Sequence, residues 1–211
     1  MGFYKEYSKI SNLGIREVEY FNRGKRSIVL KGKLNGKDVA IKLERMGIGA
    51  KDRILNEVKF LKILNRYKIG PKLIHSTKNF FVYNLIKGKL IINYVKHAKA
   101  SLVKNIIKHV LMQCYVIDKL GINKEEMHNP YKHIIVNKNR AYLIDFERCY
   151  YTKKPKNVTQ FCQFLMSGKL KNILKDKGIS VDRDKLTVLL KKYKAGPDNS
   201  KFKVLLKTLR I

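Results

Sequence analysis

The run Asp38-Val39-Ala40-Ile41-Lys42-Leu43-Glu44 alternates between the two faces of a strand, with Val39 and Ile41 on one and Ala40 and Lys42 on the other. A small residue beside a lysine on one face leaves room for a flat ring and supplies an ammonium for phosphate oxygens. Just upstream, Asn35-Gly36 is a hairpin signal, which makes Ser27–Leu34 the preceding strand. Residues 15–21 alternate more loosely and predict a first strand. A turn over Asn22-Arg23-Gly24-Lys25-Arg26-Ser27 joins it to the second.

Downstream, Met46-Gly47-Ile48-Gly49 reads as a flexible connection into a helix over 51–67. Its apolar residues fall at 54, 55, 58, 60, 61, 63 and 64, Asp52 stands near its start, and Gly70-Pro71 ends it. Short strands follow over 72–76 and 79–85, then a connector through Ile86-Lys87-Gly88. The longest helix spans 98–120, apolar at helical spacing and closed by Gly121. A polar loop over 123–133 leads to a strand at 134–136, and a turn at Asn137-Lys138-Asn139-Arg140 returns the chain through 141–146. Helices are predicted over 158–166, 170–177, 185–194 behind Asp182, and 200–209 after Asp198. Strands with one helix first and helices afterwards define an α+β chain.

The 211 residues are 45% hydrophobic, enough for a true core, so wholesale disorder is not expected. Forty-seven Lys and Arg against 16 Asp and Glu give a formal charge of +31, a field that attracts polyanions such as RNA or nucleotides. That charge is spread along the chain and forms no single basic arm. Cys114, Cys149 and Cys162 are too scattered for a disulfide framework or a zinc site, and Cys114 and Cys162 fall in apolar periodic runs as buried thiols. No signal-peptide core and no membrane-length apolar run is expected, which fits a reducing cytoplasm.

Three further groups carry chemistry. Glu57 lies at the edge of the apolar stripe of the helix after Lys42, suited to an inward-reaching carboxylate. Asp145 follows the hydrophobic run Tyr142-Leu143-Ile144 and offers a hard oxygen to magnesium at a strand end. The loop Glu125-Glu126-Met127-His128-Asn129-Pro130-Tyr131-Lys132-His133 gathers acids and histidines before Ile134.

In order and on element types, Val39-Ala40-Ile41-Lys42, Glu57, this loop and Asp145-Phe146-Glu147 resemble the protein-kinase-like superfamily over about residues 14–150. The resemblance is nearest to its small atypical members: the RIO kinases, the small kinase of the tRNA threonylcarbamoylation machinery, lipopolysaccharide kinases and predicted archaeal Ser/Thr kinases. It implies a two-lobed fold, with a small antiparallel sheet lobe and one helix over 1–86 and a mainly helical lobe over 87–211. It also implies ATP and magnesium as cofactors and Ser/Thr protein kinase activity. Lys42, held by Glu57, would meet the α and β phosphates. Ser27, with the turn before it, would cradle phosphate, Val29 and Ala40 would flank adenine, and the backbone near Tyr83 and Leu85 would meet its edge. Asp145 would hold magnesium, with Glu147 standing where the family has glycine.

Laying Ile134-Ile135-Val136 on the family's apolar strand puts His133 in the place of its metal-binding asparagine. His128 then takes the place of the catalytic aspartate and Glu126 that of the histidine. Either His128 or Glu126 would serve as base, and Lys132 would neutralise the γ-phosphate. The short chain after Asp145 lacks an Ala-Pro-Glu string, so no long activation loop and no peptide platform are expected. The acceptor would be a protein bound elsewhere, a small molecule, or the enzyme itself. Two other expectations stand beside this one: a nucleotide-binding pseudokinase scaffold, and a basic RNA-binding module.

Overall fold

The structure, a computed structural model, describes residues 2–24, 27–45 and 52–211. Lys25 and Arg26 of the expected turn, the connection at 46–49 and Lys51 lie outside the described residues. The protein is α+β and divides into two compact units. The first comprises Met1–Ile86 with Asp145–Glu147, the second Lys87–Ile144 with Arg148–Ile211.

In the first unit, helix α1 (Gly2–Asn12) precedes strands β1 (Arg16–Arg23), β2 (Ser27–Leu34) and β3 (Lys37–Glu44). Helix α2 (Arg53–Asn65) and strands β4 (Leu73–Ser76) and β5 (Phe80–Asn84) complete it. The sheet is antiparallel throughout, in the order β1-β2-β3-β5-β4. Asn35 (φ 48°) and Gly36 (φ 73°) both take the left-handed conformation that a tight two-residue hairpin needs, so Leu34 pairs directly with Lys37. Helix α1 was not expected: of residues 6–12 only Glu6 and Ile10 are buried, too sparse a stripe to announce itself.

The alternation along β3 sorts its two faces. Val39, Ile41 and Leu43 pack with Phe80 and Val82 of β5 and with Ile10 of α1. Each such side chain fully removed from water is worth about 1.5–3 kcal/mol. Ala40, Lys42 and Phe81 point the other way, where α2 packs with Ile54, Val58, Leu61 and Leu64 buried. At the end of α2, Asn65 takes over the work of the lost helix bonds. Its amide donates to the carbonyls of Ile69 and Pro71, and its oxygen accepts from Leu73 N–H. Gly70 (φ 80°) follows because a Cβ there would lie 2.9 Å from both Leu61 and Phe146. Asp52 precedes α2 at φ 78° and makes no side-chain cap hydrogen bond.

The second unit begins with β6 (Lys89–Leu90) and α3 (Ile91–His97), a short helix absent from the sequence expectation. Helix α4 (Ala100–Lys119) buries Val103, Ile106, Ile107, Val110, Leu111, Cys114 and Ile117, a helical stripe. Strand β7 (Ile122–Lys124) is followed by two short 3-10 turns, Glu125–His128 and Pro130–Lys132, in the expected polar loop. Then come β8 (Ile134–Asn137), β9 (Arg140–Leu143) and β10 (Cys149–Tyr151); β7 pairs with β10, and β8 lies between β6 and β9. Helices α5 (Asn157–Leu165), α6 (Gly168–Asp176), α7 (Arg183–Ala195) and α8 (Asn199–Leu209) close the chain. Asp182 and Asp198 cap α7 and α8 by accepting from the N–H groups of Lys185 and Lys201.

Three helices of this unit meet at Asp118, near the end of α4. Its carboxylate accepts from the Asn157 and Val158 amides at the start of α5, from the Asn157 side chain, and from the Tyr193 hydroxyl of α7. Among the described residues, no helix is long and apolar enough to cross a membrane.

Candidate functional site

The first unit brings together the charged residues that the sequence separates. Lys42, in the middle of the sheet, faces α2, and its Nζ donates to Glu57 Oε2 at 2.6 Å and to Asp145 Oδ1 at 2.9 Å. Glu147 Oε2 lies 3.9 Å away. Lys42 and Glu57 are buried, whereas Asp145 keeps 31% of its side chain exposed. The second oxygen of Glu57 accepts from Phe146 N–H at 3.2 Å. One helical carboxylate thus holds both the ammonium and the backbone of the Asp-Phe-Glu segment.

Two neighbours on the same face of α2 add to this grip, since residues three and four apart on a helix are adjacent. Arg53 Nη1 donates to Glu147 Oε1 at 3.2 Å, and the Asn56 side chain donates to the Glu147 carbonyl at 2.9 Å. Phe146 is buried beside Gly70, which is the core role its apolar setting suits. Asp145 itself takes φ 65°, a left-handed conformation that aspartate tolerates better than bulky residues and that cost-bearing functional turns favour.

Burial opposes the charge on Lys42, but the charges and hydrogen bonds of Glu57 and Asp145 outweigh it and hold its ammonium pKa above the usual lysine value. Burial pushes the Glu57 carboxyl up, with Lys42 pulling against it. Burial likewise raises the Tyr83 hydroxyl.

Carboxylate oxygens of Glu57, Asp145 and Glu147 all lie within 4.8 Å of one another. Glu57 is buried with both oxygens engaged, by Lys42 and by Phe146, so the two more exposed carboxylates, Asp145 and Glu147, are the pair suited to a hard divalent cation. Arg53 and Lys42 against three carboxylates leave the cluster one negative charge in excess.

Of the other residues expected around a nucleotide, Ser27, Val29, Ala40 and Tyr83 fall on the same sheet and Leu85 directly follows β5. Val29 pairs with Lys42 across β2 and β3, Ala40 pairs with Tyr83 across β3 and β5, and Ser27 pairs with Glu44. Ala40 and Ser27 are buried; Val29, Tyr83 and Leu85 are half-buried. Leu85 N–H donates to Asp38 O at 3.1 Å and Asn84 N–H to Lys72 O at 2.9 Å, so both amides are engaged where the inner strand β5 ends.

The expected catalytic-loop residues belong to the second unit. Glu126 is buried and its Oε2 accepts from Lys124 Nζ at 2.9 Å. His128 is exposed, with Nδ1 2.8 Å from the Glu125 carbonyl of its own turn. Lys132 is exposed over the Tyr131 ring. His133 is half-buried, and its carbonyl accepts from Ile144 N–H at 3.0 Å.

Sequence reasoning assigned no role to Arg53, Asn56, Glu147 or Lys124. An acid in the glycine place of the Asp-Phe-Gly pattern was a visible signal for Glu147, whereas Arg53 and Asn56 act on a segment more than 90 residues away and gave none. The burial of Lys124 left no trace. No protein-family model matches the chain, and no curated protein matches it.

Proposed function

We propose that the protein is an ATP- and magnesium-dependent phosphotransferase of protein-kinase-like, two-lobed architecture, acting as an atypical Ser/Thr kinase. The observation that carries this is the meeting of Lys42 with Glu57, 15 residues on, and with Asp145, 103 residues on, within hydrogen-bond distance. A buried ammonium fixed by a helical carboxylate is a rigid donor for phosphate oxygens. Ala40, small and on the Lys42 face of the sheet, is the residue this reading sets against adenine. With the Asn84 and Leu85 amides engaged inside the unit, the donor to the adenine edge comes from beyond Leu85.

The chemistry of the donor set fits magnesium, which binds through one or two carboxylates together with substrate phosphates. Asp145 and Glu147 would hold it, and when bound it neutralises and bridges phosphate oxygens. Lys42 orients the nucleotide, Glu57 keeps Lys42 in place, and Arg53 and Asn56 keep Glu147 in place.

Calorimetric titration of the full chain with ATP, in magnesium and in chelator, tests the reading, followed by measurement of ADP release. Magnesium-dependent binding and turnover are expected; no heat at millimolar ATP with magnesium would refute the kinase assignment. Binding without turnover would leave a nucleotide-binding scaffold. The formal charge of +31 favours one rival, an RNA-binding module, which predicts salt-steep RNA binding indifferent to ATP.

A further inference from the structure

On the Val39 face of the first unit's sheet, Glu6 of α1 accepts from the Asn79 side chain at 2.8 Å and so ties that helix down just before β5 begins. At the other end of β5 the same unit holds a cavity of about 440 Å³. Small-molecule sites run to about 300–1,000 Å³, mostly apolar with a few convergent polar groups. Its apolar wall is Val39, which is 0% exposed, with Leu34 from the end of β2 and Leu73 and Ile74 from β4. The opening has a local cause. Strand β4 is the edge of the sheet, and its register against β5 shifts between Leu73 and His75. An extra residue in an edge strand bends it and interrupts the ladder there.

The polar part of the wall consists of Lys37, Lys72 and the side chains of Asn35 and Asn84. Among the described residues neither lysine has an acidic partner, and neither asparagine side chain makes a hydrogen bond, although Asn84 is half-buried. Other lysines of this sheet do find acids: Lys31 pairs with Glu19 at 2.9 Å and Lys33 with Glu17 at 2.7 Å. Asp38, next to Lys37, belongs by strand alternation to the face of Ala40 and Lys42. The cavity thus sets two ammonium groups and two amides beside four aliphatic side chains. Its described wall holds no aromatic ring on which a nucleobase would stack. Aliphatic contact favours a hydrocarbon body, and the two ammonium groups favour a negative head.

We propose that this cavity is a binding site for a small aliphatic carboxylate, with its chain against Val39, Leu34, Leu73 and Ile74 and its head at Lys37, Lys72 and Asn84. The site uses the face of β3 opposite Lys42, and it stands independently of the phosphotransferase reading.

The test uses the full chain labelled with nitrogen-15, with octanoate as the probe in its monomeric range. Three other ligands separate the parts: 1-octanol supplies the chain alone, acetate the carboxylate alone, and inorganic phosphate a different anion. Octanoate at millimolar concentration should shift the Asn84 side-chain amide signals saturably, and each of the other three should bind at least about tenfold more weakly. Exposed charge pairs are worth about threefold each, so Lys37→Met with Lys72→Met should weaken octanoate by about tenfold and leave 1-octanol unchanged. Asn84→Leu should weaken octanoate by about fivefold. Ile74→Trp, at a position 39% exposed, should fill the cavity and abolish the saturable shift, with an unchanged melting temperature showing that the fold is intact. No saturable shift in wild type overturns the proposal, whatever the variants do. Equal octanoate affinity in the double lysine variant and in Asn84→Leu would mean general adsorption to a basic surface, which also overturns it. Phosphate as tight as octanoate would mean a plain anion site, and 1-octanol as tight would mean an apolar groove indifferent to charge; either result overturns it. Sedimentation of the free protein supplies the last arm: self-association that Ile74→Trp abolishes would show a second copy filling the cavity, and the carboxylate assignment would fall.

Discussion

Replacing Lys42 with methionine removes the cation at the centre of the first unit's site while keeping most of its volume. Lys42 and Glu57 are 6% and 4% exposed and 2.6 Å apart, so the variant leaves a buried carboxylate without its counter-charge. Breaking a buried pair in this way costs about 3–5 kcal/mol. Glu57 has a way to relieve part of that cost, because burial already pushes its carboxyl pKa up and the loss of Lys42 removes the pull against it. It takes up a proton, and the loss settles near the low end, about 3 kcal/mol or about 6–12 °C in melting temperature for a chain of this size.

The sign with pH follows from the raised carboxyl. The native state holds a proton that the unfolded chain has released, so stability of Lys42→Met falls as pH rises from about 4.3, the unfolded glutamate value, through the raised native value. The slope should be steeper than in wild type. Adding Glu57→Gln to Lys42→Met should recover much of the loss, with a coupling of about 2 kcal/mol by thermal melts in a double-mutant cycle. In parallel, losing one charge-assisted phosphate contact should weaken ATP binding by about 10–100-fold. Lys42→Met melting with wild type at pH 8, or strict additivity of the two substitutions, would show that the ion pair carries no energy.

Magnesium–ATP at a hundredfold excess over its dissociation constant should stabilise the protein by about 2.7 kcal/mol, and Asp145→Asn and Glu147→Gln should each abolish the part of that gain that depends on magnesium. Melts with ATP in magnesium or chelator measure it, and an undiminished magnesium effect in both variants would remove them from the metal site. His109 Nδ1 accepts from Ala141 N–H at 3.1 Å, and burial, then the Arg140 charge, lowers its pKa. A depressed native pKa means stability present above about pH 6.5 and lost as pH falls through the native value, so melts of His109→Asn should flatten that acid decline. Gly88→Ala should destabilise the second unit by about 1–3 kcal/mol, since its Cβ would have to move the chain at Val136. That Cβ would stand 2.3 Å from the Val136 carbonyl oxygen, and an unchanged calorimetric melt would show the β6–β8 approach to be looser.

What was legible in the sequence is what periodicity and turn chemistry encode. The alternation Val39-Ala40-Ile41-Lys42 announced which side chains face the apolar core, and Asn35-Gly36 announced a hairpin that the backbone angles match. The apolar spacing of α4 and the caps Asp182 and Asp198 marked helices within two or three residues of their ends. Helix α1 and helix α3 were not legible, because each buries only two residues among those described. In the site, Lys42, Glu57 and Asp145 could be picked out because each sits at a defined place on its element. Arg53 and Asn56 could not, because their meaning depends on where the Glu147 backbone passes. The same holds for Lys124, one of 47 basic residues, distinguished only by the side chains that close over it.

Charge separates the kinase reading from its nucleic-acid rival. In a chain with 47 Lys and Arg and 16 Asp and Glu, acids drawn together run against the composition, yet three carboxylates meet within 4.8 Å beside Lys42 and Arg53. The protein's overall field attracts a polyanion. The cluster, with one negative charge in excess, repels phosphate unless a divalent cation stands between. Magnesium should therefore strengthen ATP binding at this site. At a surface that binds RNA by charge alone it has the opposite effect, competing as a counterion and weakening the complex as salt does. Titrating magnesium into calorimetric binding at constant ionic strength gives the two signs directly. Tighter ATP binding with magnesium, reversed to weaker binding in Asp145→Asn, is the expected result. Weaker ATP binding with magnesium in wild type would mean that nucleotide is held by the basic surface and that the carboxylates at 57, 145 and 147 serve the fold alone.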